Sequence, residues 1–328
     1  MAAVTEPAAA AASSQPLPGL RPGQQANVRF EHVSKWYGDI VAVSDLSFGI
    51  PSGVTGLLGP NGAGKSTCLK MMAGLLKPSS GSVTIGGDPV RGDPRVYRRL
   101  GVVWEQEHVY PFLTGAEFVR MNAIMQGLPD PEAAAARAIA LAGMTDAAER
   151  QIGGYSKGMR QRIKVAAALA HDPETILRDE PLNGADPVQR AAMIALMRRL
   201  GEAGRTVVVS SHVLSEVERF AQNILVIVNG KLAAAGDYRA IRERMDERPR
   251  EIRIRAGDPR LLAASLIANP ATRSIRLEAG GWLAAETGDV RAFSAALPRL
   301  ARDAGVRLHE VLPADESLAS VFAYLVER

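Results

Sequence analysis

A single cysteine, Cys68, stands in 328 residues, so no disulfide can form within the chain. Aromatic residues make up only 5% of the sequence, and the many alanines imply helices packed closely on small side chains. No uncharged apolar run reaches the roughly 18 to 20 residues that a membrane-spanning helix needs. A transport role would therefore require another chain to supply the span. No long basic run appears either. Lys plus Arg number 39 against 35 Asp plus Glu, a net charge of +4, a weak positive balance that marks no nucleic-acid or lipid tether, so no nucleic acid is expected as a partner.

The sequence that remains is that of a packed α/β protein, 47% hydrophobic and 23% charged, long enough for two domains. The opening residues 1–26 are rich in Ala, Pro and Ser and lack both the basic and the apolar regions of a signal peptide, so they read as a disordered tail. From Asn27, strand patterns precede the turn at Pro51 to Gly53, and a short apolar strand then runs directly into GPNGAGKST and a helix. Residues of about 112–172 turn helical and alanine-rich. Strands return at ETIL, TVVVSSH and ILVIV, the last closing on the hairpin dipeptide Asn229-Gly230. Strands alternating with helices predict a largely parallel sheet.

A charged linker with Pro249 separates residues 27–244 from a C-terminal region, 245–328. That region reads as strand, helix, strand, strand, helix, strand, followed by a helix-like SLASVFAYLVE. The order is that of a small α+β, ferredoxin-like domain. Its lone His309 reads as a surface strand residue.

The strongest chemical signal is Gly59, Pro60, Asn61, Gly62, Ala63, Gly64, Lys65, Ser66 and Thr67. Glycines at 59 and 64 with Lys65-Ser66, between a strand and a helix, match the loop that wraps a phosphate in consecutive backbone N–H groups. In that pattern Lys65 reaches the β and γ phosphates, Ser66 ligates Mg²⁺, and the following helix presents its positive end. Nucleotide hydrolysis further needs oxygen ligands for the cation and a carboxylate to orient water. Asp179 and Glu180, after an apolar strand, supply both. An Asp-Glu pair alone would be a solvated turn; the strand and the phosphate loop reverse that reading.

With these residues in order, residues 27 to about 244 resemble the ATP-binding cassette family, whose fold is the α/β P-loop ATPase with a helical subdomain. YSKGMRQR, 155–162, resembles the family signature, GAD, 184–186, the D-loop, and His212 the switch histidine. The resemblance implies that Tyr37, or the adjacent Trp36, stacks on adenine, and that Asp179, Ser66 and the loop residue Glu105 serve Mg²⁺. It also implies that Glu180 polarises water and His212 contacts the γ-phosphate. Spacing places Glu105 at the family's loop glutamine, with Gln106 one step late. Ser156, Lys157 and Gly158 would face the ATP of a second cassette. Lys157 replaces the usual second glycine there.

The same resemblance implies a peripheral ATPase on the cytoplasmic face of a cell membrane, paired with a second cassette and energising a separate permease, with export the expected direction. YPFLTGAEFVRM would dock the permease, and the C-terminal domain would regulate or steady the dimer. Two other functions are compatible with the motifs: a soluble cassette ATPase acting on ribosomes or DNA, and a weakly hydrolysing regulatory partner. The first usually carries two cassettes or a long coiled coil, and neither is present. One residue breaks the pattern: Arg178 stands in the apolar strand before Asp179. Strand alternation points it away from the cation, into a packed layer where a guanidinium is costly unless carboxylate or carbonyl oxygens satisfy it.

Overall fold

The computed structural model describes residues 17–20, 24–106, 109–237 and 250–313. The helix-like segments expected at 238–249 and 314–328 lie outside the described residues, as does most of the expected N-terminal tail. Within that tail the Gly49 N–H donates to the Pro18 carbonyl at 2.9 Å, so packed contacts begin ahead of Asn27.

The chain starts with strands β1 (Val28–Tyr37), β2 (Ile40–Ile50) and β3 (Gly53–Leu58), then helix α1 (Lys65–Met72). Strands β4 (Ser80–Ile85) and β5 (Asp88–Pro89), a short helix α2 (Pro94–Tyr97) and β6 (Leu100–Val103) follow. Helices α3 (Gly115–Met125), α4 (Pro131–Leu141) and α5 (Lys157–Leu169) come next. The alternating part resumes with β7 (Thr175–Asp179), α6 (Pro187–Glu202), β8 (Thr206–Ser211), α7 (Leu214–Val217), β9 (Asn223–Val228) and β10 (Lys231–Gly236).

These strands form two sheets. One is antiparallel, in the order β2-β1-β4-β5; the other is six-stranded, in the order β10-β9-β3-β8-β7-β6. In the larger sheet β9, β3, β8, β7 and β6 run parallel and β10 is an antiparallel edge. Strand β3 is buried at all six positions, as expected of a central parallel strand covered on both faces. The expected hairpin is present: Asn229 and Gly230 both take left-handed backbone, φ 49° and 75°, which a tight turn of that hand requires.

The two faces of the larger sheet pack into different cores. Leu57, Leu177, Val208, Leu225 and Ile227 pack with Leu69 and Met72 of α1 and with Phe30 and Phe48 of the antiparallel sheet. Ile176, Val207 and Val209 pack on the opposite side with α3 to α6, through residues such as Phe118, Ile163, Met193 and Met197. Two-residue periodicity accounts for this division, and Arg178 shares the face of Ile176.

Helices α3 to α5 lie within the expected helical region. Thr114 and Glu117 form a reciprocal cap at the start of α3, and Ser156 caps α5 by accepting from the Met159 N–H at 3.2 Å.

The C-terminal region contains β11 (Arg250–Ala256), α8 (Pro259–Ile267), β12 (Thr272–Leu277), β13 (Trp282–Thr287), α9 (Val290–Asp303) and β14 (Leu308–Pro313). Its antiparallel sheet has the order β12-β13-β11-β14. Sequence order and strand order together are those of the ferredoxin-like fold. Leu262 and Leu266 of α8 and Phe293 and Leu297 of α9 fill its core against Ile252, Ile254 and Leu283. Among the described residues, no helix is long and apolar enough to cross a membrane.

Candidate functional site

The loop between β3 and α1 is shaped by its glycines. A Cβ on Gly59 would lie 2.3 Å from the Ile227 carbonyl oxygen, and Gly64, at φ 106°, would meet the Ala42 carbonyl at 2.8 Å. Neither position admits a larger residue without moving backbone. Gly64 also heads α1 without a capping side chain, leaving the first N–H groups of the helix available to an anion.

Lys65, Ser66, Thr67, Asn61, Gly62 and Gly64 line a cleft of about 260 Å³ together with Glu105, Asp179, Glu180 and Ala42. Three separate crossovers of the parallel sheet thus deliver their functional residues to its carboxyl edge, where open α/β sheets bind ligands. The Lys65 ammonium is mostly buried and donates to the carbonyls of Gly59 at 2.8 Å and Pro60 at 3.1 Å. Burial lowers its pKa, opposed by the nearby charges of Glu180 and Asp179.

Asp179 ends β7 opposite Ser210 of β8, and the Ser210 hydroxyl donates to its carboxylate. The next residue, Glu180, leaves the strand with left-handed backbone, φ 44°. Such backbone costs a non-glycine residue roughly 1–3 kcal/mol and persists only where surroundings impose it. Here the Glu180 N–H donates to the Ser210 carbonyl at 3.1 Å, and its carboxylate meets His212 Nδ1 at 2.9 Å. The turn therefore keeps this second carboxylate in the cleft and against the histidine.

Glu105 and Gln106 separate. Glu105 lines the phosphate-loop cleft, and its carboxylate accepts from Asn183 Nδ2 at 2.7 Å. Gln106 lines another cleft, of about 360 Å³, between Val102 to Trp104 and the helices, with Phe118, Asn122 and Lys164. Tyr37 and Trp36, at the end of β1, are half-exposed and outside the phosphate-loop cleft; Lys35 Nζ stands 5.1 Å from the Tyr37 ring centre.

The signature residues lie at the start of α5 and do not line that cleft. Gly158 is buried against Gln189, whose Cγ would be 2.5 Å from an added Cβ. Lys157 lies along the D-loop: a Cβ on Gly184 would come within 2.3 Å of its Nζ.

Ser66, Asp179 and Glu105 present the hard oxygen donors that suit Mg²⁺. Among the described residues no group of three or more His, Cys, Asp or Glu forms a metal cage. Mg²⁺ is ordinarily held by one or two carboxylates together with substrate phosphates, a manner of binding that these donors would suit.

Sequence reasoning missed Asn183, Ser210 and Lys164. The Lys164 ammonium, on α5, donates to the carbonyls of Trp104 and Gln106, each at 2.6 Å, on either side of Glu105. No motif marks these residues, because their partners are 31 to 78 positions away.

Arg178 finds no acceptor among the described residues. It is 1% exposed, all three guanidinium nitrogens lack a hydrogen-bond partner among the described residues, and desolvation pulls its pKa down to about 9. Val103 and Val209 flank it on the neighbouring strands.

A phosphate loop, paired carboxylates and a strand-end histidine on one parallel sheet define a P-loop nucleotide-binding protein. The sequence profile of the ABC transporter family matches residues 43–183. Linearmycin resistance ATP-binding protein LnrL of Bacillus subtilis is 38% identical over 210 residues, 63% of this chain and 68% of that one. Nod factor export ATP-binding protein I of Burkholderia orbicola is 37% identical over 225 residues, 66% and 73% of the two chains. The bacterial ABC transporter cassette MJ0796, solved as a dimer, superimposes with a TM-score of 0.58 at 26% identity, covering 64% of this chain and 98% of that one. The chain belongs to the ATP-binding proteins of ABC transporters.

Proposed function

We propose that this chain is the ATP-hydrolysing subunit of an ABC exporter, with residues 27–244 as the cassette and 245–328 as an accessory domain. The observation that carries this reading is the convergence of Lys65, Ser66, Glu105, Asp179 and Glu180 on one cleft, with Glu180 turned against His212.

In this reading the backbone of Gly59 to Thr67 and the Lys65 ammonium hold the β and γ phosphates of ATP. Ser66, Asp179 and Glu105 would hold Mg²⁺, which when bound would supply charge neutralisation to the phosphates and polarisation to the γ-phosphoryl group. Glu180 orients the attacking water and takes up its proton. His212, bonded to Glu180 through Nδ1, steadies that carboxylate and offers its other nitrogen toward the γ-phosphate. Tyr37 or Trp36 stacks on adenine.

Ser156, Lys157 and Gly158 sit at the Ser156-capped start of α5, outside the cleft of the chain's own phosphate loop. They act on the ATP held by a second cassette, so the working unit is a dimer. A permease is the other partner, seated on residues 110–121, where Tyr110 and Phe112 are exposed. The chain then lies peripherally on the inner face of the membrane. Export is favoured by the function named for the Nod factor relative, and the resistance named for LnrL is compatible with it.

Magnesium-dependent phosphate release by the purified chain tests the reading. Lys65→Ala is expected to abolish ATP binding, since the β and γ phosphates lose their side-chain cation. Tight ATP binding by that variant, at the same salt, would overturn the assigned loop.

A further inference from the structure

The phosphate-loop cleft carries an unusual charge balance. Its ionisable lining is Lys65 against three carboxylates, Glu105, Asp179 and Glu180. Lys65 is turned onto the Gly59 and Pro60 carbonyls, and Glu180 is paired with His212. Glu105 has no cationic partner among the described residues. Its side-chain bond is to the neutral amide of Asn183, at 2.7 Å. An amide donor orients a carboxylate without cancelling its charge.

The backbone around Glu105 is also restrained. Lys164, 8% exposed, bonds the carbonyls before and after it, and Gln161 Nε2 approaches the Glu105 carbonyl at 3.5 Å. Glu105 thus keeps its position because α5 holds its main chain and the D-loop side holds its side chain.

We propose that Glu105, positioned by Asn183 and Lys164, makes this cleft selective for cation-loaded nucleotide: it repels metal-free ATP and admits ATP that brings its divalent ion. This rests on the reading of the cleft as the ATP site. The phosphate tail of metal-free ATP carries about four negative charges at neutral pH, and a third carboxylate lining the same cleft lies well within a Debye length of it, so it adds a repulsion that salt weakens but does not remove. When ATP arrives with a divalent cation, the same carboxylate faces a hard cation and becomes an attractive oxygen donor. A glutamine at 105 would keep the oxygen and lose the repulsion. Asn183 and Lys164 act through Glu105; they are positioning residues.

The test is calorimetric titration of the full chain with ATP, once with Mg²⁺ and once with excess EDTA, comparing the ratio of the two dissociation constants. Glu105→Gln, an isosteric change at an exposed residue, is expected to improve metal-free binding and lower the ratio about tenfold. Asn183→Ala should lower it less, and should add nothing in the Glu105→Gln background. Lys164→Met should behave like Asn183→Ala if it folds; because Glu105 and Asn183 are exposed, their variants carry the test without it. An unchanged ratio in Glu105→Gln would overturn the proposal, and a full additional effect of Asn183→Ala in the double variant would overturn the positioning role. No binding of Mg-ATP by the unmodified chain would instead overturn the reading of the cleft itself.

Discussion

Arg178 is a charge that the packed layer does not neutralise. A buried arginine without acceptors among the described residues loses its hydration and gains no hydrogen bond in return, with Val103 and Val209 at the neighbouring positions of the adjacent strands. Replacing even a paired buried charge with a well-packed apolar residue is often neutral to stabilising by about 1–4 kcal/mol, and an unpaired one should gain at least as much. Arg178→Leu should therefore raise the melting temperature and leave ATP affinity nearly unchanged, because strand alternation separates the side chain from the cation side of Asp179. Arg178→Ala should be less stable than Leu, since it leaves a void under β7.

The pH dependence follows from the lowered pKa. Below about 9 the guanidinium is charged in both folded and unfolded chains, and the whole desolvation cost is present. As pH rises through 9 the folded state releases the proton first, so the unfolded chain binds more protons and the parent gains stability relative to Leu. The advantage of Arg178→Leu in denaturant melts should be constant near neutrality and shrink above pH 9. A constant difference up to pH 10.5 would show that the arginine remains charged in the fold.

Glu180 makes the second prediction at this scale. Glu180→Gln keeps the shape and the left-handed turn but cannot accept a proton from water. It should bind Mg-ATP normally, turn over at least 100-fold more slowly, and accumulate paired cassettes in gel filtration with ATP. Turnover near the parent rate would remove Glu180 from the reaction.

Among the elements, α5 carries the signature at its start and braces the Glu105 loop from its middle. Its first residues carry Ser156 and Gly158, and its middle carries Gln161 and Lys164, which hold the loop of Glu105. The Ser156 hydroxyl satisfies the Met159 N–H, and losing such a cap costs about 1 kcal/mol. Ser156→Ala should therefore lower stability modestly in urea melts. If the hydroxyl also reaches a second cassette's ATP, the same change should weaken ATP-driven pairing in a Glu180→Gln background. Pairing that falls only as far as stability predicts would assign Ser156 to capping alone. The motif in this helix was legible in sequence; its hold on Glu105 was not, since Lys164 reads as one more cation on an alanine-rich helix.

For the whole molecule, the nucleotide-site residues all precede β11, and the ferredoxin-like region has its own core. A chain ending near residue 244 should fold and bind ATP with an affinity within about threefold of the full chain. The same chain should pair less well if the C-terminal region steadies the dimer. Loss of ATP binding by a folded truncated chain would move the boundary.

The sequence by itself determined the phosphate loop, the carboxylate pair, the signature and the alternation of strands and helices, down to the order of the C-terminal strands. These are local: a strand running into a glycine-rich turn and then a helix dictates its own geometry within a few residues, and hydrophobic period does the same for each element. Spacing favoured Glu105 over Gln106 without deciding between them, and it is Glu105 that lines the phosphate-loop cleft. Tertiary structure alone decided what faces these groups. Glu180 meets His212, Asp179 meets Ser210, Glu105 meets Asn183, and Arg178 meets no acceptor among the described residues. Each outcome depends on which strands become neighbours and on how helices cover them, a consequence of packing among residues tens of positions apart, which no local pattern encodes.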